Sequence, residues 1–368
     1  MGEIGEPLIG LTYSPSDVVQ EGGTIVFRSS NIKNGEIDYS DIVRVKKKIK
    51  ESIRTQKDDL LICARNGSPR LIGKNALLGQ NEANQTFGAF MLIFRSDDNH
   101  FVHQLLSTKR YYTQVSENLG ARINQITTGN IKDFEFFFPE QKAEMIKIAN
   151  FLDLIDQRIA IQNKTIEDLK KLKSALCEQA YQSQENIDRP LSELIRQISD
   201  RNKGNLIYRV LSVSNKLGFI EQSEQFEDRA IASDDTSNYK IVSPNDFAYN
   251  PARINVGSIA RLKDGNCGIV SPMYICFRTD PSILPEYLEF FFNTRYFQTE
   301  VQKRLEGSVR LCLSFDGLCD ILIPLPTIEI QKSIKNRLIA VTRKIEMESR
   351  ICELLQKQKT FLLNNLFV

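Results

Sequence analysis

Two stretches of this chain decide its fold: GARINQITTGNIKDFEFFFP at residues 120–139 and GSVRLCLSFDGLCDILIPLP at residues 307–326. Aligned without a gap, they match in residue type at positions 187 residues apart. The matched pairs are Gly120 with Gly307, Ile126 with Leu313, Thr127 with Ser314, Ile131 with Leu318, Phe134 with Ile321 and Pro139 with Pro326. Matches in one register indicate an internal duplication with a period of half the chain. Each stretch ends in an apolar run closed by proline, which predicts a buried final strand in each copy.

Weaker matches upstream keep the same order. Ala64-Arg65 matches Ala252-Arg253, and Gly67-Ser68 matches Gly257-Ser258. Runs rich in β-branched and aromatic residues predict strands at 24–27, 60–63 and 91–94, with counterparts at 207–210, 247–249 and 273–277. Short helices are predicted at 101–112 and 285–306. The chain therefore reads as two copies of a mixed α/β domain, residues 1–139 and 185–326, without the regular alternation of a doubly wound sheet.

Each copy is followed by a predicted long helix, at residues 140–184 and 327–368. Apolar residues recur at spacings of three and four, typical of a heptad seam. The seam residues are Ile148, Leu152, Ile155, Ile159, Ile166, Leu169 and Leu176 in the first helix, and Ile345, Leu355 and Leu362 in the second. A helix with one narrow apolar stripe gains its stability by packing that stripe. The simplest partner is the other helix; cover for its own domain and an intermolecular coiled coil are the alternatives.

Composition excludes several classes of protein. No apolar run approaches the 18 or more residues of a membrane span. The 7 cysteines are scattered without a C-x-x-C pair, as expected of reduced thiols in a cytoplasmic protein. The formal net charge is only +2, so any DNA-binding charge must be segregated on one surface.

No catalytic motif stands out in the sequence. Residues 250–253, Asn-Pro-Ala-Arg, lack the second proline and the aromatic residue of the adenine methyltransferase motif, and no glycine-rich cofactor loop follows a strand. His100 and His103 are the only histidines and have no further Cys or His motif nearby. We therefore expect no catalytic residues, metal or cofactor in this chain.

Polar loops are the candidates for nucleic-acid contact. Arg, Asn and Gln can distinguish guanine and adenine by paired hydrogen bonds, whereas Lys and Ser more often hold phosphates. Lys46, Lys47 and Lys48 belong to a basic run, for which a solvated surface segment is the alternative. The other candidates follow predicted strands or precede the final strand of each copy, although any one of them could instead make a loop hydrogen bond. The candidates are Lys46, Lys47, Lys48, Arg65, Asn66, Ser68, Arg70, Lys74, Arg122, Asn124 and Gln125 in the first copy, and Arg253, Asn255, Ser258, Arg261 and Arg310 in the second.

The chain resembles the specificity subunits of type I restriction–modification enzymes. The resemblance is carried by residues 119–127, by Phe138-Pro139 before Glu140-Gln141-Lys142, and by the helical segments 148–156, 169–176 and 354–359. It implies that each domain is a target recognition domain that reads half of a bipartite double-stranded DNA site. The half-sites are expected to differ, because Arg122 aligns with Val309 and Asn124 with Leu311.

The resemblance also implies partners. The two conserved helices would pair antiparallel as a spacer and dock two modification subunits and the restriction subunits. S-adenosylmethionine, ATP and Mg would then be bound by those partners and not by this chain. The alternative is a coiled-coil scaffold whose two α/β repeats bind proteins; salt dependence separates the two, because DNA binding weakens steeply as salt rises.

Overall fold

A computed structural model of the chain describes residues 1–120, 124–182, 187–215, 217–222, 235–263, 265–307 and 310–367. The chain forms two compact units, Met1–Asn163 with Arg350–Val368, and Lys164–Ser349. Each unit contains one mixed α/β domain together with a part of both long helices. The prediction of two mixed α/β domains, each followed by a long helix, is confirmed.

The first domain begins with short strands and continues with helices. Its strands are β1 Glu6–Ile9, β2 Val18–Val19, β3 Thr24–Phe27, β4 Ile32–Lys33, β5 Glu36–Ile37, β6 Val43–Val45, β7 Leu60–Cys63, β8 Asn75–Leu77, β9 Thr86–Phe87 and β10 Met91–Arg95. Its helices are α1 Asn99–Leu105, α2 Lys109–Glu117 and α3 Thr128–Asp133, followed by the long α4 Lys142–Ala180. Short 3-10 turns lie at Pro15–Asp17, Ser29–Asn31, Glu51–Ile53, Pro69–Leu71 and Gln80–Glu82.

Two four-stranded sheets form the first domain. One has the order β1-β10-β7-β8 and is antiparallel throughout. The other has the order β2-β6-β3-β9, with β3 and β9 parallel. All four residues of β7 are buried, which explains why Leu60–Cys63 is apolar without alternation.

The second domain has strands β11 Ile187–Pro190, β12 Ile195–Ile198, β13 Val210–Ser214, β14 Gly218–Glu221, β15 Lys240–Val242, β16 Phe247–Tyr249, β17 Ile259–Arg261, β18 Gly268–Val270, β19 Ile275–Thr279 and β20 Leu322–Leu325. Its helices are α5 Pro285–Phe291, α6 Arg295–Lys303 and α7 Phe315–Cys319, followed by the long α8 Ile328–Leu366. Short 3-10 turns lie at Leu191–Glu193 and Ile254–Val256.

One sheet of the second domain repeats a sheet of the first, and the other shares its parallel pair. The order β12-β19-β16-β17 corresponds to β1-β10-β7-β8, whereas β14-β13-β18-β15 has its parallel pair, β13 with β18, at the centre and not at the edge. The same ion pair braces both domains. Arg95 donates two hydrogen bonds to Asp59 just before β7, and Arg278 donates two to Asp246 just before β16. Both aspartates are 1% exposed, so the duplication extends to buried polar contacts.

The structure corrects some predicted elements. In the first copy the described segment 134–139 is not a strand, whereas Leu322–Leu325 in the second pairs with Ile187–Pro190. Whether this apolar segment forms a strand therefore depends on the presence of a partner strand. The helices predicted at 101–112 and 285–306 are each two helices, because Thr108 and Thr294 cap new ones by accepting from Tyr111 N and Phe297 N.

The long helices pair antiparallel within the first unit. Asn163 of α4 contacts Cys352 of α8, Asp156 contacts Lys359, and Leu152 and Ile155 share a hydrophobic cluster with Leu363. As the residue numbers of these contacts rise along α4, those of their partners fall along α8, which is the pattern of an antiparallel pair. In the second unit, Cys177 of α4 lies in one core cluster with Ile334 and Leu338 of α8. The predicted pairing of the two helices is confirmed.

All predicted seam residues are buried or half-buried. Within the first unit these are Ile148, Leu152, Ile155, Ile159, Leu355 and Leu362, and within the second Ile166, Leu169, Leu176 and Ile345. None of the described helices is long and apolar enough to cross a membrane.

Candidate nucleic-acid interface

An open cleft of about 1310 Å³ lies in the first domain, where loops from both sheets meet. Its walls are the residues after β3, the loop after β7 and the turn between β9 and β10. Among the residues predicted from sequence, it is lined by Arg65, Asn66 and Asn124. Since these side chains come from loops anchored on strands, the cleft is a preformed polar surface.

Arg65 is an exposed cation at the mouth of this cleft. Its Cζ lies 4.9 Å from the centroid of the Phe90 ring, and its backbone N–H donates to Phe90 O over 3.0 Å. A β-bridge joins Arg65 to Gln125. No carboxylate of the described residues forms an ion pair with Arg65. Its guanidinium donors therefore remain available for an incoming acceptor.

The asparagines beside Arg65 hold the loops together. Asn66 Nδ2 donates to Ser29 Oγ over 3.1 Å, and Asn66 Oδ1 accepts from Ser68 N over 3.0 Å. Asn124 Nδ2 donates to Gly67 O over 3.1 Å. These bonds fix the loop conformation, so in this state the asparagines act first as a scaffold for Arg65.

The other predicted residues of the first domain that the structure describes do not line this cleft. Lys46, Lys47, Lys48 and Arg70 are exposed and Lys74 is half-buried. Lys47 pairs with Asp17 over 3.5 Å. Gln125 is half-buried beside Arg65, and Arg122 lies outside the described residues.

The second domain has a corresponding cleft of about 650 Å³. Among the predicted residues, it is lined by Arg253, Ser258 and Arg310. Both arginines are exposed, whereas Ser258 is buried and its hydroxyl donates to Val213 O over 3.0 Å. The Ser258 hydroxyl is therefore committed to the fold, and the two arginines are the predicted residues that present donors to the cleft.

Two further predicted residues lie away from this cleft. Asn255 and Arg261 line a separate groove of about 950 Å³ in the second unit. Arg261 Nε donates to Glu289 Oε2 over 3.0 Å, and its Nη1 donates to Asn245 Oδ1 over 2.6 Å. With its side chain only 10% exposed, Arg261 is an internal ion-pair residue.

The loops after β7 and β16 differ in register by one residue from the sequence match. Ile126 N donates to Ala64 O, and Leu313 N donates to Pro251 O. These equivalent bonds align Ala64 with Pro251, and hence Arg65 with Ala252. Arg253 therefore occupies the position after the equivalent of Arg65, although both arginines line their clefts.

Sequence reasoning missed an apolar side chain in each cleft. Phe90 follows Gly88-Ala89 in a turn closed by Met91 N donating to Gly88 O over 2.9 Å. Met273 holds the same place in a turn closed by Tyr274 N donating to Ser271 O over 3.1 Å. Phe90 is 59% exposed and Met273 60%. The available signal was the turn before a strand, repeated in both copies.

Arg28 was also missed and lines the first cleft. Its Nη2 donates to Asp41 O over 3.1 Å and lies 2.8 Å from Asp41 Oδ2. Its Nε is buried without a hydrogen-bond partner among the described residues. The carboxylate of Asp41 neutralises this arginine, so Arg65 is the cation without a carboxylate partner among the described residues that line the cleft.

The cysteines nearest the clefts are unreactive. Burial raises the pKa of the Cys63 thiol in β7 to about 11 and that of Cys276 in β19 to about 12. Both thiols stay protonated near neutral pH and are poor nucleophiles. Among the described residues, no cluster of three or more His, Cys, Asp or Glu could hold a metal ion.

Comparison with known proteins identifies related chains. Residues 1–171 match the family model described as the type I restriction modification DNA specificity domain. The EcoKI specificity subunit of Escherichia coli (strain K12), a type I restriction enzyme subunit, is 24% identical over 327 residues, which cover 77% of this chain and 68% of that protein. The StySPI specificity subunit of Salmonella potsdam is 26% identical over 178 residues, 45% of this chain and 38% of the relative.

Solved structures share the fold. The S subunit of a type I restriction–modification system from M. genitalium superposes with a TM-score of 0.64 at 16% identity, over 100% of this chain and 94% of that one. A chain from a study of complex assembly and conformational transition in the type I R-M system gives a TM-score of 0.53 at 12% identity, over 98% of this chain and 97% of that one.

Proposed function

We propose that this chain is a specificity subunit of a type I restriction–modification enzyme and reads a bipartite, asymmetric DNA site, because residues 1–171 match the DNA specificity domain and the related chains are specificity subunits. One half-site would be read through the cleft of each domain. The observation that carries this proposal is a cleft that occurs twice, at the same place in a duplicated fold, with different side chains.

The chemistry of the clefts supports direct reading of bases. Arg65, Arg253 and Arg310 present guanidinium groups, which can donate two hydrogen bonds to O6 and N7 of guanine in the major groove. Exposed Lys46 and Lys48 suit phosphate contacts that fix the position of the domain on the duplex. Of the remaining predicted residues, Asn255 and Arg70 are exposed and stay candidates on neighbouring surfaces, whereas Ser258 and Arg261 are committed to internal contacts.

We also propose that modification subunits dock on the long helices. Within the first unit, α4 exposes Phe151, Leu154 and Ile161, and α8 exposes Ile351, Leu354 and Phe361. On each helix these residues lie within about 80° of arc, at the same spacing. A contiguous exposed apolar face of this kind marks a protein interface. S-adenosylmethionine, ATP and Mg would be held by the partner subunits.

The recognition proposal is tested by co-expressing the chain with its modification subunit and mapping methylated bases genome-wide. We expect one motif made of two unlike specific parts separated by unspecified base pairs. A single continuous motif, or two identical halves, would contradict the proposal. Purified complex should also bind cognate duplex with an affinity that falls steeply between about 50 and 200 mM salt.

The docking proposal is tested by placing charge on the apolar face. Leu154→Glu and Leu354→Glu should abolish co-purification with the modification subunit, because an unpaired carboxylate in an apolar interface is strongly unfavourable. Gln356→Glu is the matched control, since it adds the same charge at an exposed position on the other side of α8 from Leu354. Retention of the modification subunit by both leucine variants would show that this face is not the docking surface.

A further inference from the structure

Phe90 stands out in the first cleft because its side chain is exposed yet engaged. An exposed aromatic side chain alone is ordinary in a soluble protein. Here the ring lies beneath the guanidinium of Arg65, 4.9 Å from its Cζ, and both residues line the same cleft. The ring contributes to the placement of Arg65 more than to the core, since it is 59% exposed.

The backbones of the two residues are also tied together. Phe90 O accepts from both Ala64 N and Arg65 N, each over 3.0 Å. On its other side Arg65 forms the β-bridge with Gln125, and Asn66 N donates to Asn124 O over 3.3 Å. The Phe90 ring and Arg65 are therefore held by the same set of backbone hydrogen bonds, which preorganises the guanidinium before any ligand binds.

Stacking on a ring leaves the donors of a guanidinium free. The ring contacts the flat face of the group, while its N–H donors lie in its plane and point outward. An arginine held in this way is suited to two parallel hydrogen bonds with O6 and N7 of guanine. A flexible arginine would lose rotamer freedom on making the same bonds.

We propose that Phe90 is a positioning residue for Arg65 and that the stacked pair reads a guanine in the half-site of the first domain. This inference rests on the proposed function and deepens it. The second domain has Met273 at the equivalent turn position and no ring under Arg253 among its described residues. Among the described residues, an arginine stacked on a ring therefore lines the first cleft and not the second.

The chain supplies a matched control for the stack. Arg110 Cζ lies 4.9 Å from the centroid of Phe137, an exposed ring outside both clefts. Phe137→Ala removes an arginine–ring contact of the same distance from the same unit. Phe90→Leu keeps apolar bulk without a π face, and Phe90→Trp keeps a π face that attracts cations more strongly.

The experiment uses the complex with the modification subunit. Methylation rates are measured on duplexes in which each base pair of the mapped site is replaced in turn. Arg65→Ala should lower discrimination at one guanine of the first half-site by roughly five- to hundredfold. Phe90→Ala and Phe90→Leu should lower it at the same base pair by about two- to fivefold. Phe90→Trp and Phe137→Ala should retain wild-type discrimination.

A double variant sharpens the test. Arg65→Ala with Phe90→Ala should be no less selective than Arg65→Ala alone, because the ring acts through the arginine. Unchanged discrimination in Phe90→Ala, or relaxation at a different base pair, would overturn the positioning role while leaving the recognition proposal intact. Failure of Arg65→Ala to relax any base pair would overturn the reading of a guanine by this pair, whereas the bipartite site is tested independently by the methylation map.

Discussion

The two domains share a scaffold and differ in what they present on it. Both keep two four-stranded sheets, one parallel pair in the second sheet and a buried aspartate held by an arginine. The first cleft presents an arginine stacked on Phe90, whereas the second presents Arg253 and Arg310 beside Met273. Core contacts are thus the same in both domains, whereas the loop side chains differ. This is expected where the strands stabilise the fold and the loops carry the binding residues.

The helix pair shows a second contrast. In the first unit, Lys359 Nζ lies 2.6 Å from Asp156 Oδ1, with the lysine side chain only 16% exposed. In the second unit, Lys173 lies 5.8 Å from the centroid of Phe290 and forms no ion pair with a described carboxylate. Burial lowers the pKa of Lys173. A paired lysine and an unpaired one therefore occupy comparable places in the two halves of the pair.

The strongest test of the shared scaffold is removal of the buried aspartates. Asp59→Ala and Asp246→Ala should each destabilise their own domain by about 2–3 kcal/mol, because a partly exposed arginine loses its carboxylate partner and a backbone N–H loses its acceptor. The effect should be somewhat smaller for Asp246→Ala, since Arg278 is 39% exposed and Arg95 28%. Chemical denaturation followed by hydrogen exchange measures the free energy of unfolding of each domain. Exposed Asp97→Ala is the control, and a negligible effect in either domain would break the equivalence.

Substitutions of the two lysines are expected to change the stability of the helix pair in opposite directions. Lys359→Met should destabilise the helix pair by about 1–2 kcal/mol, because Asp156 keeps only its bond from Gln104. Lys173→Met should be neutral or stabilising by up to about 1 kcal/mol, because it removes a charge that burial disfavours. Thermal unfolding of the two variants gives the comparison. Equal destabilisation by both variants would show that the charge of Lys173 makes a favourable interaction, as that of Lys359 does.

The smallest expected effect concerns the repeated helix caps. Thr108 and Thr294 begin α2 and α6, and each accepts a backbone hydrogen bond through its hydroxyl. Thr108→Ala and Thr294→Ala should each cost about 1 kcal/mol, and Thr→Ser at either site should restore most of it. Urea denaturation midpoints measure the change. A loss confined to one domain would show that only that cap is used.

Much of the fold was readable from the sequence. The repeat at Gly120 and Gly307 and the heptad spacing from Ile148 to Leu176 predicted two domains and a helix pair, because both patterns are local and periodic. The sequence did not predict that the helical segments are each divided at Thr108 and Thr294, since a cap residue lies inside an otherwise continuous helical pattern. The missing strand at 134–139 depends on a partner strand, which local pattern does not specify.

The site was only partly readable, for a related reason. Sequence pointed to the loops that carry Arg65 and Arg253, because polar residues follow a predicted strand. It did not separate those arginines from Arg261, whose glutamate partners come from a distant helix. Phe90 and Met273 look like core residues in sequence, and only the turn that carries them brings them into the clefts.

The central claim is that one fold, used twice, reads two different half-sites. The most direct test is to map methylated bases in cells that express the modification subunit with Arg65→Ala or with Arg253→Ala. Exposed Arg110→Ala and Arg196→Ala serve as controls, one in each unit. We predict that each cleft variant relaxes or loses one half of the motif and leaves the other half unchanged, with the two variants affecting opposite halves. Relaxation of the same half by both, or an unchanged motif in both, would contradict the account.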